Sequence, residues 1–250
     1  MKKINIAFIK YAGCASGGTE KFLQTIAANL NKKIFKVDYF YCDATPYIGW
    51  QFDHPDTEED RVQYLEENGV NLIKFSVEAK DVTTPTHEWV NTNFWNYFDE
   101  SKYDLIQIAR AGHKEYPFYL IKNIPIIDSI WINAGSDNQE NIKAVFIPSK
   151  DSINKWVKSG GDSSKVNLIP MPVEDKSNKD FDFKDELNLN NKFIYGFHQR
   201  TQDELFSDIP LNAYSKIMSK NTAFIIMGGS DLYTRQANQL GLKNFHQLKY

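Results

Sequence analysis

The chain has 250 residues, of which 42% are hydrophobic and 24% charged, with a formal net charge of −3. That balance excludes a disordered tract or a fibre and suits one large globular domain or two modest ones. The slight acidity gives no general attraction to nucleic acid or an anionic surface, and the longest apolar runs are strand-sized rather than bilayer-sized.

The opening "MKKINIAFIKYAG" is too polar for a signal peptide, so a cytoplasmic address follows by default, with peripheral membrane attachment left open. Cys14 and Cys42 form neither a disulfide framework nor a metal-ligand cluster. Cys14 reads as a small side chain in a turn more readily than as an activated thiol.

The first element is "INIAFI", an apolar run with the length of a buried strand, followed by "GCASGGTEK" at 13–21. Phe22, Leu23, Ile26, Ala27 and Leu30 then fall on one helical face, predicting a helix over 19–30. Strand, glycine loop and helix is the order of an anion site, but this is not a P-loop. That motif needs Lys and then Ser or Thr directly after its second glycine, whereas Gly18 is followed by Thr19 and Glu20. Gly13, Gly17 and Gly18 do not make the dinucleotide fingerprint either. Two readings stay open: a backbone cradle at a helix N-terminus, or a strand-to-helix turn with no ligand.

Further strands are predicted at "VDYFYC", "VNLIKF", "DLIQIA", "IPIIDSIWI", "AVFIP" and "VNLIP", and further helices over 58–68, 87–99, 115–122 and 150–159. Alternation of this kind gives a doubly wound α/β domain over 1–173. The aromatic stretch "HEWVNTNFWNYF" reads as the core-facing side of the helix over 87–99. The polar stretch 174–191 reads as a linker, after which "KFIYGF", "IPLNAYSKIMSK", "TAFIIMGGS", "LYTRQANQLG" and "NFHQL" restart the strand and helix alternation over 192–250. Three strands would leave an open sheet edge, so the second domain is expected to be only the first part of a larger one, completed by more chain, a second copy or a partner.

The order of these features resembles the GT-B-fold, retaining, nucleotide-sugar-dependent glycosyltransferases of the large group 1 type. It rests on Gly-Gly-Thr-Glu opening the first helix, "KVNLIPMPVE" closing the first domain, "FIYGFHQR" opening the second, and "FIIMGGSDLY" as its next strand. The resemblance implies a sugar transferred from a nucleotide-diphosphate sugar to a glycan or other acceptor, with no metal, no other cofactor and no nucleic acid partner. It implies a donor-diphosphate role for Gly17 and Gly18 across an interdomain cleft, and for Arg200, whose planar fork suits a diphosphate. Gly228 and Gly229 match the turn admitting the nucleotide, His113 a catalytic position, and Arg110 and Trp131 the acceptor side.

Each residue has a plainer reading beside this one. Arg200 could be a surface residue, His113 and His198 solvated loop and strand-end side chains, and Gly228 and Gly229 a bare turn. Trp50 and Trp131 could stack on a sugar. Three departures from the family pattern stand out. Leu205 sits where a second diphosphate-binding cation is usual, Trp131 where a His is common, and the Glu-x7-Glu signature is not within these 250 residues. The chain alone is therefore expected to transfer sugar poorly. The "SDNQE" stretch is a polar loop rather than a metal site. A non-catalytic or split-enzyme interaction module and a nucleotide-sugar epimerase are the competing functions.

Overall fold

In the first strand, β1 (Ile4–Lys10), alternate residues enter different cores, and this alternation organises the first half of the chain. Ile6 and Phe8 pack with Phe22, Leu23 and Leu65 on one face of a sheet, while Ala7 and Ile9 pack with Phe94, Phe118 and Trp156 on the other. A strand buried on both faces reads as an unbroken apolar run, which is why "INIAFI" lacks polar alternation. The structure, a computed structural model, describes residues 2–42, 57–78, 91–110, 118–131, 139–174 and 183–248. By contact the chain divides into two compact units, Met1–Asp175 and Lys176–Tyr250.

The first unit contains β1, α1 (Gly18–Asn29), β2 (Phe35–Cys42), α2 (Glu59–Glu67) and β3 (Asn71–Phe75). A two-residue antiparallel pair follows, β4 (Val77–Glu78) with β5 (Asn91–Thr92). Then come β6 (Leu105–Arg110), β7 (Ile126–Ile130), β8 (Ile142–Ile147), α3 (Lys150–Lys158) and β9 (Val166–Leu168). Seven strands form a parallel sheet in the order β3-β2-β1-β6-β7-β8-β9. The order reverses between β1 and β6, and in open α/β sheets the crevice beyond the strand C-termini at that point is where ligands sit.

Two helix expectations fail. Within 87–99, residues 91 and 92 are extended and Phe94–Asn96 make a single 3-10 turn. The cause is local: Ser76 N–H donates to Asn93 Oδ1 at 2.7 Å and Phe94 N–H to Thr92 Oγ1 at 3.1 Å. The Thr92 hydroxyl takes the Phe94 N–H that a helix would use, and the Asn93 side chain ties the segment to Ser76. Phe94 and Phe98 nonetheless enter the core, whereas Trp95 and Tyr97 are exposed. Of 115–122, Phe118–Leu120 make a 3-10 turn and Ile121 and Lys122 belong to no helix, while 115–117 lie outside the described residues.

The second unit contains α4 (Phe183–Glu186), β10 (Phe193–Gln199), α5 (Ile209–Ile217), β11 (Thr222–Gly228), α6 (Leu232–Gln239) and β12 (Phe245–Leu248). Its three strands are parallel in the order β10-β11-β12. β11 repeats the two-faced pattern of β1. Phe224 and Ile226 face Leu211, Tyr214 and Tyr233, while Ala223 and Ile225 face Leu189. Within the polar stretch 174–191, Glu174 is bonded into the first unit and Leu189 is buried in the second. Among the described residues no helix is long and apolar enough to cross a membrane.

Candidate functional site

In the first unit, Lys10 ends β1 and Arg110 ends β6, on either side of the point where strand order reverses. Both are buried. Lys10 Nζ donates to the Ala109 carbonyl at 2.9 Å, lies 3.5 Å from Glu20 Oε1, and sits over the Tyr11 ring. Burying an ammonium this way requires a partner charge, and Glu20 in the first turn of α1 supplies it.

The glycine loop is tied down at each of its described contacts. Cys14 N–H donates to Thr57 Oγ1, and the Glu58 carboxylate takes both Ser16 N–H at 2.9 Å and Ser16 Oγ–H at 2.6 Å. The Ser16 hydrogen bond, together with Arg61 and Lys21, holds the Glu58 carboxyl below its ordinary value against a weaker opposing effect of burial. Gly17 is the N-cap of α1 and offers no side-chain cap. A Cβ at Gly17 would lie 2.2 Å from Glu20 Oε2, so the glycine leaves room for that carboxylate to fold back over the helix start. Negative charge at a helix N-terminus is favourable, and here Glu20 provides it. Gly18 is open, with only the Met171 methyl 4.0 Å from where its Cβ would be. Cys14 is fully buried in the turn.

Arg110 is 2% exposed, with Nε and Nη2 each 2.8 Å from Asp128 Oδ2. Arg110, which the family resemblance puts on the acceptor side, thus joins the ends of β6 and β7 through Asp128. Trp131 N–H donates to the Arg110 carbonyl, and its ring meets Phe22 edge-on at 4.7 Å. His113 and Trp50 lie outside the described residues. Among the described residues no three His, Cys, Asp or Glu side chains cluster as metal ligands.

In the second unit the C-terminal ends of β10 and β11 carry the other sequence-derived residues. Arg200 follows β10 directly and is exposed. Gly228 and Gly229 have φ of 74° and 75°, a left-handed conformation that only glycine adopts without strain. They turn the chain from β11 into α6, and Gly229 borders a cavity of about 420 Å³ lined also by Thr201, Asp203, Ser230, Asp231, Leu232 and Arg235.

A residue the sequence did not reveal completes this turn. Gln247 on β12 donates its amide to the carbonyls of Gly228, Gly229 and Ser230 at 2.9, 3.1 and 3.1 Å. Its own oxygen accepts from Thr234 on α6. A glutamine on a short strand carries no motif, so only the fold shows where its amide goes.

No family model and no curated protein matches the chain. Solved structures do match. HepE of Anabaena in complex with UDP-glucose aligns over 99% of this chain and 69% of its own length, at 16% identity and a TM-score of 0.61. A glycosyltransferase from Rickettsia africae aligns over 100% and 69%, at 14% identity and 0.64. The fold is GT-B-like. A putative UDP-N-acetylglucosamine 2-epimerase from Listeria monocytogenes also matches, over 100% and 70% of the two chains, at 12% identity and 0.56.

Proposed function

We propose that the chain is a nucleotide-sugar-dependent glycosyltransferase of the retaining type, with the donor held by the second unit and the acceptor by the first. The observation that carries this reading is the Gly228–Gly229 turn. Two consecutive positive φ angles at the C-terminal end of a central parallel strand open a cavity at the start of α6, in a fold shared with a protein crystallised with UDP-glucose.

Breaking the bond between sugar and diphosphate needs a stabilised leaving dianion, which is electrostatic work for fixed donors. Arg200, beside Thr201 of the cavity wall, brings a permanent charge, and the backbone N–H groups at the turn bring oriented dipoles. These groups are assigned the diphosphate without a metal. In the first unit Gly17 and Gly18 are assigned to the donor phosphates and His113 and Trp131 to the acceptor, and the buried Arg110–Asp128 pair ties the ends of β6 and β7. Cytoplasmic placement belongs to this reading, and Cys14 and Cys42 are both buried.

Calorimetric titration tests the reading. UDP should bind the full chain more tightly than uridine, and Arg200→Ala should weaken UDP by about tenfold or more, the value of a hydrogen bond to a charged group. No binding of UDP, GDP, ADP or TDP by the wild-type chain would remove the donor assignment. The epimerase reading, supported by the Listeria match, is separated by product: a changed sugar still attached to UDP with no acceptor present.

A further inference from the structure

We infer that Gln247 is a positioning residue for the donor diphosphate, acting through the Gly228–Ser230 turn; this rests on the donor reading of that turn. One side-chain amide reaches three successive carbonyls, those of Gly228, Gly229 and Ser230, all within 3.1 Å. An amide has only two protons to share among them. Such an arrangement is possible because two consecutive residues of positive φ turn successive peptide planes the same way.

In a trans peptide the N–H points opposite to the C=O of the same plane. The carbonyls of Gly229 and Ser230 aim at Gln247, so the N–H groups of Ser230 and Asp231 aim the other way. Gly229 N–H, the first of the series, donates to the Gln199 carbonyl at 2.7 Å and anchors the turn to the end of β10. Ser230 and Asp231 both line the cavity. Successive N–H groups presented from one turn make an anion-binding concavity. Gln247 thereby fixes the orientation of donors it does not itself bring to the ligand.

The side chain is held in turn. Thr234 Oγ1 donates to Gln247 Oε1 from the first turn of α6, and the backbone of Gln247 pairs with Ile226 of β11. The amide orientation follows from this set, since the oxygen has a donor to meet and the nitrogen has three carbonyls.

The test uses the full chain, titrated with UDP and with uridine, and with unfolding followed in parallel. Gln247→Met keeps the length of the side chain and removes the amide. It should remain folded, keep its affinity for uridine, and lose about tenfold in affinity for UDP, because only the diphosphate depends on the turn's N–H groups. Gln247→Lys restores a donor to the three carbonyls and should recover most of the preference for UDP over uridine. A residue that merely stabilised the fold would lower both affinities together.

A folded Gln247→Met chain with an unchanged UDP-to-uridine ratio overturns the inference. Should that variant fail to fold, the lysine variant decides: a retained ratio supports the role and a lost ratio in a folded chain refutes it. Failure of the wild-type chain to bind UDP overturns the donor reading itself and this inference with it, and is seen before any substitution is made.

Discussion

Arg61 and Glu174, 113 residues apart, form a two-pronged ion pair: Nη2 to Oε1 at 2.8 Å and Nη1 to Oε2 at 3.2 Å. Arg61 comes from α2 and is 3% exposed; Glu174 lies in the segment that closes the first unit. Gln24 Oε1 accepts from Arg61 Nε and Thr25 Oγ1 donates to Glu174, so α1 is bonded to both partners. The pair therefore pins the end of the first unit onto two of its helices.

Removing either charge leaves the other in a site with little water. Arg61→Ala or Glu174→Ala should each destabilise the first unit by about 3 kcal/mol, and the double variant should cost much less than the sum. Arg61→Lys should recover only part of the loss, since an ammonium cannot make the parallel pair of bonds. Denaturant unfolding followed in a probe specific to the first unit, such as Trp131 or Trp156 fluorescence, measures all four. Additive single losses would mean that the two side chains do not act together.

Much of this arrangement could be anticipated and some could not. The strands of both units were legible because a two-faced parallel strand must be apolar throughout, as "INIAFI" and "TAFIIM" are. The helices at 18–29, 59–67 and 150–158 were legible from one-sided apolar spacing. The stretch at 87–99 misled because Phe94 and Phe98, four residues apart, satisfy helical spacing, yet a single 3-10 turn also brings both into the core. The glycines at 228 and 229 were visible as a turn. The buried pairs Lys10–Glu20, Arg61–Glu174 and Arg110–Asp128 had no sequence signature, since each joins charges that become neighbours only after the sheet is assembled.

The Glu58–Ser16 contact predicts an acid-sensitive loop. The Glu58 carboxyl titrates below its ordinary 4.5, chiefly because the Ser16 hydroxyl donates to it. A depressed carboxyl contributes stability that is present above the unfolded value and lost as pH falls through the folded one. Stability of the first unit should thus decline below about pH 4.5 less steeply in Glu58→Gln than in the wild type. Ser16→Ala should raise the carboxyl's midpoint, read from its carbon resonance in a pH titration. A midpoint that does not move would show that another group holds the charge.

His246, half-buried on β12 and paired in register with Ile225, has its pKa lowered from 6.5 by burial. The unfolded chain then takes up the proton more readily than the folded one. Stability of the second unit should be full above pH 6.5 and fall as the pH drops from there toward the folded value. His246→Phe should flatten that part of the curve. Thermal unfolding between pH 7.5 and 5 reads the slope, and an unchanged slope in the variant would assign the effect elsewhere.

Gly229 combines two constraints that can be separated by substitution. Its φ of 75° strains any residue with a Cβ, and a Cβ there would meet Tyr233 Cδ2 at 2.9 Å and Ile226 Cγ2 at 3.2 Å. Gly229→Ala should therefore cost the left-handed penalty of roughly 1–2 kcal/mol plus the displacement of a ring that is buried against Phe206 and Phe197. Tyr233→Leu relieves the second term without touching the first, so the double variant should lose less than the two single losses combined. If Gly229→Ala were neutral in unfolding measurements, the turn would have another backbone conformation within reach, and the fixed peptide planes on which the donor assignment depends would not be fixed.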